Sequence, residues 1–272
     1  MNALTVDSAT SIRLGLFLAA FLILALAELR WPRRKLSLGR IQRWPANIGL
    51  VVCNSLVVRL LAPVAGVASA LLAAQHGWGL FNLLALPWWL EILLFILVFD
   101  LTIYWQHRVF HGVPLLWRFH RIHHMDQDYD LTTGNRFHPV SIMLSALLKV
   151  GLVLVMGASA TAILIAESVL NLSSMFNHSN LALPSPIEKF LRRVIVTPDM
   201  HRIHHSTDPL EHNRNFGFNF SFWDRVFRTY QHLPSQAQET MPIGLTGFTG
   251  PTTRHLTSLL IAPFSRSAGR TR

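Results

Sequence analysis

Three histidine clusters carry the chemistry legible in this chain: His107-Arg-Val-Phe-His111, His120-Arg-Ile-His123-His124 and His201-Arg-Ile-His204-His205. They place eight of the fourteen histidines within fifteen of 272 positions, where even scatter would leave about one. Residues at i, i+3 and i+4 share one helical face, so each cluster aims its imidazoles at a single point. Imidazole is the commonest protein ligand for transition metals, and the clusters read as a metal site. Eight rings are too many for one zinc ion, which takes four ligands, so two metals are the natural count. Oxygen-rich magnesium or calcium sites are excluded by ligand type. Zinc hydrolysis usually needs a neighbouring general base, as in His-Glu-x-x-His, whereas the residues inside these clusters are Arg-Ile and Arg-Val-Phe. A redox pair of metals facing a lipid-filled cavity fits better.

The elements that must position these rings are membrane helices. Apolar residues make up 51% of the chain and charged ones 14%, against roughly 25% in soluble domains. The net charge of +10 does not point to nucleic acid, because the basic residues flank apolar runs. Residues 14–27 form a first span between Arg13 and Arg30, read as a retained anchor. Residues 46–74 form a second, interrupted by Asn54, Arg59 and Pro63, and residues 83–105 a third with Glu91 and Asp100 inside. Two further apolar stretches, 140–156 and 160–176, are joined only by Gly157-Ala158-Ser159 and so run antiparallel as a tight hairpin. Lys149 and Glu167 then sit at one depth, either paired or facing a watery cavity. The expected fold is an all-α integral membrane protein of about three transmembrane helices plus this hairpin, under a histidine-rich helical cap.

Residues 30–43 hold six Lys/Arg and the loop at Gln75-His76-Gly77 none, which puts the first segment and the histidines on the cytoplasmic side and the N-terminus outside. The expected divisions are an anchor with a basic loop (1–45), a catalytic domain (46–232) and a tail (233–272) whose apolar patch at 256–264 lies on the membrane surface. Cys53 is the single cysteine, which rules out a disulfide within the chain and a cysteine-ligated iron–sulfur cluster.

Asp100, Tyr104, His107 and His111 lie on one helical face. Asp100 is therefore either the carboxylate that orients a ligating histidine or a packing acid paired with Arg59. Arg59 or Tyr104 could hold a polar headgroup. His138, in Arg-Phe-His-Pro, is a ligand, a neighbour of one, or part of a structural turn. His76, His212, His232 and His255 read as surface or interfacial residues. Among competing classes, a bis-histidine haem carrier needs ligands facing each other within the bilayer, and a metal transporter needs them near its midplane. These clusters lie at the membrane edge. A zinc-dependent lipid hydrolase is the third alternative.

The surrounding phrases resemble the fatty acid hydroxylase/sterol desaturase superfamily of membrane non-haem di-iron oxygenases. The resemblance covers roughly residues 47–230. It rests on Asp-x-x-x-Tyr-Trp-x-His-Arg (100–108), Leu-Thr-Thr-Gly-Asn-Arg-Phe-His-Pro (131–139), Asn-His-Ser-Asn (177–180), Thr-Pro-Asp-Met-His-Arg-Ile-His-His (197–205) and Asn-Phe-Gly…Phe-Trp-Asp-Arg-Val-Phe (215–227). It also rests on the order of the clusters and the short gap between the first two. The resemblance implies two iron ions held by the three clusters plus His178, activating O2 for hydroxylation or desaturation of a lipid or sterol-like C–H bond. It implies a bacterial inner membrane or the endoplasmic reticulum of a eukaryote. Electrons would come from a separate donor of ferredoxin or cytochrome b5 type with its reductase. Family members usually read Phe-Gly-Thr-Tyr where this chain has Phe227-Arg228-Thr229-Tyr230. Members that cleave alkylglycerol ethers tend to carry an acid after the first cluster, where this chain has Gly112, and that counts against ether cleavage.

Overall fold

The first helix starts where the sequence supplies a cap. The Thr5 side chain accepts from the Ser8 amide while Ser8 returns the bond to Thr5, which closes a capping box at the head of α1 (Val6–Arg30). These are coordinates of a computed structural model, which describes residues 4–84 and 86–265, so the extreme ends of the expected anchor and tail lie outside the described residues. Leu18, Leu22 and Ile23 of α1 are 56–65% exposed, as an anchor facing lipid requires.

The second expected span is not continuous. Pro63 denies Ala62 a helical backbone, and Gly66 turns at φ 64°. The segment therefore divides into α2 (Arg40–Leu61) and α3 (Val67–His76). A single turn, α4 (Leu80–Leu83), leads through Pro87 to α5 (Trp88–Gly112). Pro114 occupies the first position of α6 (Pro114–His124), where its missing N–H costs nothing, so α5 and α6 meet at a sharp corner. Next come α7 (Pro139–Met156) and α8 (Ala160–Asn177), with Gly157 left-handed at the end of α7 and the Ser159 side chain capping α8. The remaining helices are short: α9 (Ser185–Leu191), α10 (Pro198–His204), α11 (Pro209–His212), α12 (Phe222–Val226) and α13 (Leu256–Ile261). No strand occurs among the described residues, only isolated bridges.

By length and composition, α1, α2, α5 and α7 could each cross a membrane, and α8 follows α7 through a three-residue turn and packs on α1, α5 and α3. Three spans plus a hairpin is the expected architecture. The core between α3, α5, α7 and α8 is built on Phe95, Phe99, Ile103, Val153 and Ile163. Inside the hairpin, Lys149 Nζ lies 2.9 Å from one Glu167 oxygen, and Arg13 of α1 donates to the other. Pairing removes much of the cost of those charges in an apolar layer. The 25 residues of α5 span about 37 Å, more than the roughly 30 Å of hydrocarbon, and His107 and His111 lie in its last two turns.

The cap is joined to the helices by a buried ionic network. Arg43 of α2 forks onto both oxygens of Asp126, at 2.7 Å each, and reaches Asp130 at 2.7 Å. Arg136 donates to the Ile122 and Thr253 carbonyls and to Asn47. Burial pushes the Asp126 carboxyl up, but the Arg43 and Arg136 guanidiniums outweigh it and hold the pKa down at about 2. The expected surface patch at 256–264 is half sunk: Leu259 packs with Leu50 and Ile122, while Ile261 and Phe264 stay exposed.

Breaking this network should strand a charge. Asp126→Ala leaves the Arg43 guanidinium without its forked partner and should lower stability by about 3–5 kcal/mol. Thermal unfolding of the full chain in detergent measures this, and an unshifted midpoint would contradict the network's role.

Candidate metal centre

The three clusters and His178 converge. His107 and His111 come from the end of α5; His120, His123 and His124 from α6; His178 from the cap of α8; His201, His204 and His205 from α10 and its cap. All nine are buried. They form two adjoining groups within which the candidate ligand atoms all lie within 4.8 Å of one another. One holds His107, His111, His120, His124 and His204; the other holds His123, His178, His201 and His205. Each His-Arg-Ile-His-His box is thus split between the groups.

The hydrogen bonds on the far side of the rings decide what the near side can do. His107 Nδ1–H donates to the Phe216 carbonyl at 2.9 Å, and His204 Nδ1–H to the Arg214 carbonyl at 2.8 Å. A carbonyl can only accept, so both rings present a bare Nε2, and these two nitrogens are 3.0 Å apart. His178 repeats the pattern: its Nδ1–H donates to the Ser174 carbonyl at 2.7 Å, and its Nε2 lies 3.1 Å from that of His123 and 3.2 Å from that of His205. His111 Nε2 is 3.1 Å from His124 Nε2. Facing lone pairs repel unless a cation lies between them. Around one ion with metal–nitrogen bonds of about 2.1 Å, neighbouring ligand atoms stand about 3.0–3.4 Å apart. Both ring nitrogens of His120 and of His201 are buried without a hydrogen-bond partner. The donor set fits transition metals.

Burial, reinforced by neighbouring imidazoles, lowers the pKa of His120, His123, His124, His201, His204 and His205 well below 6.5. Burial takes His178 down to about 3. These rings are uncharged at neutral pH, with lone pairs available to a metal.

Other sequence-based expectations meet a different structure. Asp100 does not orient a histidine and does not pair with Arg59. Its carboxylate accepts from the Asn219 and Phe220 amides and from the Trp223 indole N–H, while Arg59 is exposed on α2, away from the site. Tyr104 is buried, bonded to Thr229 Oγ1 at 2.8 Å and stacked on Phe227, so it has no free hydroxyl for a headgroup. His138 caps α7 through Nδ1 and bonds the Leu260 carbonyl through Nε2, which leaves no ligand atom; its role is the structural turn. His212, expected at the surface, is buried with its ring stacked on Trp117, 6.1 Å from His111.

Asp100 still matters, through a loop. Asp224 accepts from the Phe216 and Gly217 amides and from Thr229. Together the two carboxylates hold residues 216–229, the loop whose Phe216 carbonyl sets the His107 tautomer. Tyr129 donates to the Asn177 carbonyl at 2.6 Å and stacks on His178, and Phe137 stacks on His123 at 4.5 Å. The box arginines point outward: Arg202 to Asp199 and Gln238, Arg121 to the Ala262 carbonyl. Sequence reasoning quoted Phe137 and Asp224 inside the family-like phrases without giving either a role, and nothing local to Tyr129 marks it.

The fatty acid hydroxylase family model matches residues 92–229, the stretch that supplies all nine histidines. The chain belongs to the fatty acid hydroxylase family. It is 28% identical to the ornithine lipid hydroxylase OlsE of Rhizobium tropici, over 66% of this chain and 52% of that protein. It is 30% identical to the alkylglycerol monooxygenase of Xenopus tropicalis (68% of this chain, 41% of that protein) and 32% identical to that of Danio rerio (56% and 34%). The chain thus spans about half, or less, of the length of these relatives. No solved structure matches it.

Two expectations test this geometry in a member of the hydroxylase family. As pH falls below about 6.5, an unfolded chain takes up protons that the buried rings refuse, so stability must drop towards about pH 3. Chelator-stripped protein should therefore show a lower urea midpoint at about pH 5.5 than at about pH 7.5; equal midpoints would contradict neutral buried rings. Separately, a Cβ on Gly134 would sit 2.3 Å from the Ser174 carbonyl and 3.1 Å from His178 Nδ1. Gly134→Ala should cost about 1–3 kcal/mol and displace His178, lowering bound metal per chain by elemental analysis.

Proposed function

We propose that this chain is a membrane lipid oxygenase that uses two iron ions and O2 to hydroxylate or desaturate an unactivated C–H bond of a lipid or sterol-like substrate. The observation that carries the reading is the pair of adjoining, neutral, wholly imidazole ligand groups at the end of membrane-length helices in a chain of this family. One ion would be held by His107, His111, His120, His124 and His204, and the other by His123, His178, His201 and His205. Bound there, the iron pair supplies the O2 activation and one-electron chemistry that no side chain can. In hydroxylation one oxygen atom enters the C–H bond and the other leaves as water, which takes two electrons and two protons from outside. Desaturation removes two hydrogens from the substrate and, with the same two electrons and two protons from outside, sends both oxygen atoms to water.

The protein's own residues hold the rings and keep water out. Phe137, Phe216 and Phe218 pack against ligand rings at 4.5–6.1 Å between centroids and seal the site with apolar surface. Hydrolysis is disfavoured, because no carboxylate stands in either group and the nearby Asp100 and Asp224 are committed to backbone N–H donors. The basic loop lies on the same side as the site: Arg33 bonds Asp199 and Arg43 bonds Asp126. Positive-inside orientation then puts the site in the cytoplasm, facing a soluble donor of ferredoxin or cytochrome b5 type.

Alanine at His123 or at His204 removes a candidate ligand from one group each. Both variants should abolish O2-dependent lipid oxidation, read by mass spectrometry as loss of products shifted by about +16 or −2 mass units. Purified wild type should carry two irons and show no haem absorbance. Undiminished turnover in either variant would end the proposal.

A further inference from the structure

A cleft of about 500 Å³ beside the metal centre reaches His111. Three arginines line it, Arg108, Arg214 and Arg228, and no carboxylate does. None of the three forms an ion pair among the described residues. Arg108 lies one helical turn before His111, and its guanidinium sits over the Trp105 ring at 4.9 Å and the Phe216 ring at 5.9 Å, which keeps it beside the cleft wall. Arg214 donates to the Arg228 carbonyl at 3.1 Å, tying the other two together.

Arg228 stands in a left-handed backbone, φ 59°, that a glycine adopts freely and a side-chain-bearing residue adopts only under strain. Its exposed side chain returns no ion pair for that strain. Strain of this kind persists where the residue is used. Trp105 and Val109, beside the lining Arg108 along α5, and Val226, next to the lining Phe227, are 42%, 44% and 61% exposed. Such a rim suits hydrocarbon; a docking face for an acidic protein would be ringed with polar groups.

We infer that this cleft seats a phosphate-bearing headgroup of the lipid substrate, with the three guanidiniums on the phosphate and the chain running along the apolar rim towards His111. Guanidinium forks match phosphate oxygens in geometry as well as charge. This rests on the oxygenase reading and narrows it to lipids with an anionic headgroup.

The test is direct binding, which needs no turnover. Iron-loaded full-length protein in detergent is titrated with dihexanoyl phosphatidate, dihexanoylglycerol and inorganic phosphate. Phosphatidate should bind saturably and the neutral glyceride at least about tenfold more weakly, with Arg228→Gly and Arg108→Gln each weakening phosphatidate by about tenfold. Arg228→Gly relieves the backbone, so it should fold at least as well as wild type and carries the test if Arg108→Gln does not. Inorganic phosphate should compete only at far higher concentration; competition at equal concentration would mean a free-anion site and overturn the headgroup assignment. Equal binding of both lipids, unchanged phosphatidate binding in Arg228→Gly, or variants that lose only an acidic electron donor would each overturn it too. Failures separate cleanly. Selective binding without any lipid oxidation by wild type sinks the oxygenase reading and leaves the cleft, whereas oxidation with headgroup-blind binding sinks the cleft alone.

Discussion

Nine imidazoles are buried together with no acidic residue among them. Backbone carbonyls hold the outer nitrogens of His107, His178 and His204 as N–H donors, so their inner nitrogens face other rings as lone pairs near 3 Å. That arrangement is costly for a protein alone and favourable around cations. Most of the architecture described here serves to hold it in place.

Two kinds of support do so. Clamps lie outside the cluster, where Arg43 meets Asp126 and Asp130 and Arg136 bonds Asn47, and fasten the cap to α2 without bringing charge to the rings. Within the cap, Asp100 and Asp224 grip backbone amides of one loop, and that loop's carbonyl orients His107. The carboxylates thus act at one remove. A carboxylate touching the ring would raise its basicity; a carbonyl fixes the tautomer while leaving the ring neutral.

Much of this was legible in residue order. Spacings of three and four put each histidine set on one helix face, and the three-residue gap between two apolar runs forced a hairpin that paired Lys149 with Glu167. The same reasoning failed where a residue's partner lies far along the chain. Asp100 shares a helix face with His107, yet its acceptor role is to residues 219–223. Arg59 shares an apolar run with nothing it touches, and the run breaks at Pro63. His138 took the structural-turn role that Pro139 suggested, since a cap is decided by the backbone after it, whereas His212 is buried because burial depends on whatever packs above.

Ligand chemistry, the apolar lengths of the helices and the local direction of each ring follow from residue type and helical period, which are properties of neighbours in the chain. The division of nine histidines into five and four, the His107 tautomer, and the meeting of Arg108 with Arg214 and Arg228 at one cleft were decided by contacts between residues far apart in the chain. Period alone puts His120, His123 and His124 on one face; only packing against α5, α8 and α10 sends His123 to a different group from its neighbours.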